Sequence, residues 1–222
     1  MPSVQLNIGV QNQSDGAQLV VQRGGRQGDA IVTELHGRHY EQCYRGNLFS
    51  NGHLGLVALT ANTVTLTAST TPIIGLYNPM GSGMNAVIIQ AALSCGINST
   101  ASVGPGAFVW ATSLGNVALS TGTVPFARLL GGAASKCKGL ALVPLTGLTN
   151  NLVVQEASDI PSPNIIATTA VPTTVTTPMT AMVQIVDGAL IVPPGGILAL
   201  LNTVSTTTIS VFGRMKWEEV PV

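Results

Sequence analysis

Charge is what this sequence has least of. Its nine basic and nine acidic residues make up 8% of 222 positions, where roughly 25% is ordinary for a soluble domain. They also cancel to zero net charge, and holding a phosphate backbone rests on clustered Lys and Arg, so no nucleic-acid partner is expected. Cysteine is confined to Cys43, Cys95 and Cys137, far apart and without CxxC spacing. That argues against a disulfide framework or a zinc site and leaves small buried hydrophobes or spare thiols. No apolar run reaches the roughly 18 to 20 residues of a membrane-crossing helix without Gly, Pro or Thr breaking it. A transmembrane barrel gives a fainter signal but would arrive with a secretory leader, and residues 1–20 lack the basic start and apolar block of one. The expectation is a protein with no membrane partner, made in the cytoplasm of its producing cell.

The few charges are unevenly spread. Between Gly55 and Gly213 only Arg128, Lys136, Lys138, Glu156, Asp159 and Asp187 are charged, and Thr, Ser, Asn and Gly supply the polarity. A surface so thinly charged invites association, so it should be covered largely by copies of the same chain or by a partner. The segment from residue 29 to 45 is the exception. There Asp29, Glu34, Arg38, Glu41 and Arg45 interleave with His36, His39, Tyr40 and Tyr44. A helical turn or two could form between residues 34 and 44, although Gly37 weakens any helix by about 1 kcal/mol. With glycines on both sides, this region reads as an extended arm without a core of its own.

What the sequence has in plenty is β grammar. Val4, Leu6, Ile8 and Val10 alternate with polar residues, the period of a half-buried strand. In residues 72–90 two apolar runs flank Asn78-Pro79 and the closely spaced Gly81 and Gly83, which predicts neighbouring antiparallel strands around a turn. The unbroken apolar run of residues 86–95 predicts a central strand or one buried on both faces. Phe108 and Trp110 should share one strand face and Val109 the other. Between residues 115 and 134 Phe126 and Leu129 are the expected bulky anchors, and residues 140–145 are expected as a strand cut at Pro144. Asp187-Gly188 is a strong tight-turn signal, and residues 197–201 and 207–220 are the closing strands. Eight to ten strands at loop-punctuated intervals predict an all-β chain, a jelly-roll-like antiparallel β-sandwich over residues 56–222 preceded by an extended N-terminal arm over residues 1–55.

Candidate chemistry is thin. His36, His39 and Cys43 fall at i, i+3 and i+7, one side of a helix, but Gly37 interrupts it and no metal site is expected. The three histidines all lie in or just after the arm, no carboxylate pair is singled out, and no catalytic set is assigned. Gly81-Ser82-Gly83-Met84-Asn85 lacks the GK[ST] end of a phosphate loop and reads as a turn. Trp110, Trp217, Tyr77 and Phe212 read as buried strand residues rather than a stacking platform. The chain is expected to be neither an enzyme nor a cofactor carrier.

Several stretches carry a resemblance: residues 23–28 (RGGRQG), 44–49 (YRGNLF), 76–83 (LYNPMGSG), 192–196 (VPPGG) and the Trp217-Glu218-Glu219 ending. Together they resemble small virion proteins of tailed bacteriophages, of the jelly-roll cement or decoration type. That resemblance implies a homotrimer on the capsid exterior, assembled in the host cytoplasm, that binds between major capsid proteins and braces the shell. It carries no catalytic signature. Related jelly rolls also serve in fibres, tails and necks, where they bind a receptor or a glycan. Because the arm concentrates charge before an almost uncharged body, Arg23, Arg26, Asp29, Glu34, Arg38, Glu41 and Arg45 are expected as a set to form the interface to a second protein.

Overall fold

A computed structural model of the chain describes residues 39–52, 57–59, 70–97, 106–116, 119–160, 180–204 and 206–222, with the backbone alone for Glu41 and residues 57–59, 95–97, 180–181 and 206–210. Compactness divides the chain into residues 1–37 and 38–222, and the described residues belong to the second unit. It opens with one short helix, α1 (Tyr40–Tyr44), followed by strands. These are β1 (Leu48–Gly52), β2 (Val57–Leu59), β3 (Ile74–Tyr77), β4 (Met84–Ile97), β5 (Phe108–Ser113) and β6 (Lys138–Leu140), then β7 (Val153–Ala157), β8 (Thr180–Ile185), β9 (Ile191–Val192), β10 (Ile197–Asn202) and β11 (Thr206–Pro221).

The strands form two antiparallel sheets, the all-β sandwich expected from the sequence. The first sheet runs β1-β11-β4-β8, with β2 also on β11 and β9 also on β4; the second runs β6-β3-β10-β5-β7. Aromatic and aliphatic side chains fill the space between them, with Trp110 from the second sheet and Trp217 from the first both fully buried. Each such side chain contributes roughly 1.5 to 3 kcal/mol by leaving water. A second apolar cluster covers the outer face of the second sheet, where Leu119, Leu145 and Leu152 from the irregular stretch between β5 and β7 pack on Tyr77, Ala199 and Leu201.

This third layer explains β10. Leu198 and Leu200 point into the space between the sheets, whereas Ile197, Ala199 and Leu201 point into the outer cluster. Successive side chains alternate faces, so a strand buried on both needs an unbroken apolar run. The run in β4 has a different cause. Ala86, Ile88, Ala91 and Leu93 face the core, and the alternation skips a residue because Lys216 pairs with Gln90 and Trp217 with Ile88. Ile89 is the extra residue of a β-bulge, and its carbonyl accepts the amides of Val186 and Asp187, both at 2.9 Å. Those amides open the expected tight turn, in which Asp187 (φ 56) and Gly188 (φ 88) are both left-handed, as a type I′ turn demands; it joins no hairpin, since β8 and β9 both pair with β4.

Four local expectations are corrected. The runs on either side of residues 78–83 are not paired with each other: β3 lies between β6 and β10, and β4 between β11 and β8. The connection is an arch from one sheet to the other, pinned by Asn78, whose side-chain Nδ2 donates to the carbonyls of Met84 (2.7 Å) and Val192 (2.8 Å). A sequence reports that a turn is present but not which sheet receives the chain after it. Phe126 is 73% exposed and Leu129 is exposed too, while Leu119 is the buried anchor of that stretch. The predicted strand at 140–145 ends at Leu140, and Leu142 then takes a left-handed φ of 50°. Finally, β1 lies inside the stretch read as the arm, yet it pairs with β11 along its whole length and buries Phe49 in the core.

Candidate functional site

The corner where β1 and β11 meet the stretch of residues 125–137 is built around one carboxylate. Phe49 stacks on Trp217, ring centroids 6.1 Å apart, because they are register partners on the inward face. Two residues on, Glu219 is 2% exposed. Its carboxylate accepts the Ser135 hydroxyl, the amides of Lys136 (3.0 Å) and Cys137 (3.2 Å) and, more distantly, the Trp217 indole N–H (3.3 Å). A buried charge persists only when its lone pairs are occupied in this way. Chemically the group is a clamp between β11 and the loop, not an acid open to substrate. Burial pushes the Cys137 thiol far up, and the neighbouring Glu219 carboxylate adds to it, so the thiol stays neutral and is a poor nucleophile.

On the solvent side of the same corner the charge is basic. Val211, Met215 and Trp217 point inward, so Arg214 and Lys216 project from the outer face. Arg128 joins them from the loop: its amide donates to the Leu48 carbonyl (2.8 Å) and its Nη1 to Ser50 Oγ (3.4 Å), and Ser50 is the register partner of Lys216. Partial burial holds the Lys216 ammonium below its ordinary pKa, and the positive Arg128 and Arg214 add to that. Among the described residues no carboxylate forms an ion pair with any of the three. Partial burial pushes the Glu218 carboxyl up, partly offset by His39. Beside this basic face the loop carries Leu130, 98% exposed, and Phe126.

The opposite lateral side is acidic and apolar. Every residue of β7 is exposed, including Val153, Val154 and Glu156. Behind it Gln184 of β8 accepts the Trp110 indole N–H (3.0 Å) and the Ser158 hydroxyl (2.7 Å) through Oε1 and donates to Asp159 (3.3 Å). Between the end of β5, β7 and the residues around β9 runs an open groove of about 380 Å³, lined by Leu114, Gln155, Leu190, Ile191 and Pro193 among others and by no charged or aromatic side chain.

Of the arm residues expected as an interface, Arg23, Arg26, Asp29, Glu34 and Arg38 lie outside the described residues. Glu41 is in α1, described by its backbone, and Arg45 is exposed just past that helix. His36 is likewise outside, and His39 and Cys43 sit one helical turn apart, with the Cys43 amide on the His39 carbonyl (3.0 Å). Among the described residues no three His, Cys, Asp or Glu side chains gather as a metal site. Sequence reasoning missed Glu219 and the Arg128, Arg214 and Lys216 group. The alternation of Arg214, Lys216 and Glu218 with Met215 and Trp217 was the available signal for the outer face; the loop's approach was not written in any local pattern. The chain matches no protein family, no curated protein and no solved structure.

Proposed function

We propose that this protein is a viral structural subunit, a jelly-roll capsid cement or decoration protein of a tailed bacteriophage that binds between major capsid proteins as a homotrimer on the shell exterior. The observation that carries the reading is a β-sandwich with very little charge that leaves large apolar side chains in solvent at both lateral sides, among them Leu130, Phe126 and Ile185. Such side chains are costly on a lone monomer and useful where neighbours cover them. The strand order supports a jelly-roll reading, since β10 from the end of the chain inserts between β3 and β5, the interleaving that Greek-key connections produce. The virion resemblance of the segments at residues 76–83, 192–196 and 217–219 supports the location.

The test is co-sedimentation of the full-length protein with capsid shells of the virus that encodes it, followed by imaging of decorated particles. Saturable binding at positions between shell subunits is the expected result. The alternative is a fibre, tail or neck module that binds a receptor or glycan through the 380 Å³ groove. That groove offers no aromatic platform for a sugar ring. Binding to host cells or polysaccharide with no binding to shells would move the assignment there.

A further inference from the structure

The charges of the body are sorted by side. β1 and β6 form one lateral side of the sandwich: a Cβ on Gly139 of β6 would lie 2.2 Å from the Asn51 amide of β1. All five basic residues beyond Arg45 lie on that half, Lys138 on β6, Lys136 just before it, Arg128 in the adjoining loop, and Arg214 and Lys216 on β11 beside β1. The opposite side is formed by β7 and β8, joined through Gln184, Ser158 and Trp110. It carries Glu156, Asp159 and Asp187 and no basic residue among those described. Only Glu218 and Glu219 break the pattern, and Glu219 is buried and fully occupied by donors.

Each side also offers apolar contact area, Phe126 and Leu130 on the basic side and Val153, Val154 and Ile185 on the acidic one. Two different, complementary surfaces on opposite flanks of one molecule are what a head-to-tail contact requires. A two-fold contact would instead put each surface against itself, basic on basic.

We propose that the occupant of each side is a second copy of this chain: the basic flank of one copy, through Arg128, Arg214 and Lys216, seats on the acidic flank of the next, through Glu156 and Asp159, with Phe126 and Leu130 against Val153 and Val154. Repeated, this contact closes into a ring, or runs on as a filament where the rotation does not close. The inference rests on the reading of the protein as a self-packing subunit and names the surfaces through which it packs.

The experiment is light-scattering mass of the full chain against concentration for three proteins: wild type, R214E/K216E and E156K/D159K. All substituted positions but the partly buried Lys216 are exposed, and thermal unfolding checks that each variant folds; E156K alone serves if loss of the Asp159–Gln184 bond perturbs the fold. Wild type should assemble, and each reversal should raise the apparent dissociation constant by about tenfold or more, since like charges then face each other. Mixing the two reversals in equal amounts should restore a mixed assembly. Unchanged mass in both reversals, or a mixture that stays as monomers, overturns the proposal, as does a wild-type monomer at all concentrations in low salt. Shell binding is read separately, so a ring that fails to decorate would refute the cement function and leave this contact standing.

Discussion

Ser135 donates its hydroxyl hydrogen to the carboxylate of Glu219, a residue 84 positions further along the chain. With the amides of Lys136 and Cys137 on the same carboxylate, this ties the last strand to the loop that presents Arg128 on the solvent face. Replacing Glu219 with Gln puts an amide NH₂ where an acceptor is needed and leaves buried donors unpaired. The expected loss is about 2 to 4 kcal/mol, a fall in Tm of roughly 5 to 15 °C for a unit of this size. Thermal unfolding followed by circular dichroism checks it, and a shift below about 1 °C would mean the carboxylate is not a clamp.

Cys137 predicts a pH dependence. Its thiol pKa is raised in the fold above the ordinary value of 9.0, first by burial and then by Glu219. A group whose folded pKa is raised adds stability that is fully present below its unfolded pKa and is lost as pH rises beyond it. Unfolding free energy of the wild type should therefore decline above pH 9 more steeply than that of Cys137→Ala, by up to about 1.4 kcal/mol per pH unit. Urea unfolding of both proteins at several pH values between about 8 and 10.5 measures the difference, and equal slopes would contradict it. In native protein Cys137 should also resist alkylation that modifies it fully in denaturant.

Asn78 should be nearly irreplaceable. It is fully buried, and its side-chain amide holds the carbonyls of Met84 and Val192 on two separate segments. Asn78→Ala takes this donor from the buried Val192 carbonyl and leaves the Met84 carbonyl the more distant Ser82 hydroxyl (3.3 Å), and should cost about 1 to 3 kcal/mol in urea unfolding. Asn78→Asp should be worse, since a carboxylate would then face two carbonyl oxygens. A loss under about 0.5 kcal/mol for both would show that the arch holds without this residue.

Gly75 and Gly81 make a matched pair. A Cβ on Gly75 would lie 2.7 Å from the Leu198 carbonyl oxygen, which is backbone of the neighbouring β10 and cannot turn aside. One on Gly81 would meet nothing within 4 Å. Gly75→Ala should therefore destabilise by about 1 to 3 kcal/mol through overpacking, while Gly81→Ala should stay within about 0.5 kcal/mol of wild type. Comparable effects at the two positions would argue against the β3–β10 register.

Two truncations separate arm from body. Removing residues 1–37 leaves α1 and β1 intact and should give a folded chain with a cooperative transition. Removing residues 1–50 takes away Leu48 and Phe49, and with Phe49 the partner of Trp217. Loss of a buried Phe alone costs about 3 to 5 kcal/mol, so the shorter chain should unfold at much lower temperature or fail to fold. Equal stability of the two would show that β1 is dispensable.

The class of this fold and many of its strands follow from local residue patterns. Alternation around Phe108 and Trp110, the unbroken run of β10 and the Asp187-Gly188 turn are local patterns, and local patterns follow from backbone periodicity and glycine's access to positive φ. The scarcity of charge is likewise plain from the composition alone. Where residues 72–90 go is visible in the folded molecule and nowhere earlier, because a turn signal is the same whether the next strand joins its neighbour or crosses to the other sheet. The tertiary structure alone decided that Leu119 and not Phe126 is buried, since an irregular segment has no period to reveal which side chain meets a sheet. Likewise Glu219 reads as one more charge near the end of the chain until Ser135, Lys136 and Cys137 are brought to it. The sorting of Arg128, Arg214 and Lys216 to one flank and Glu156 and Asp159 to the other depends on strand order across both sheets. Such order is fixed by long-range packing, which residue spacing along a chain does not encode.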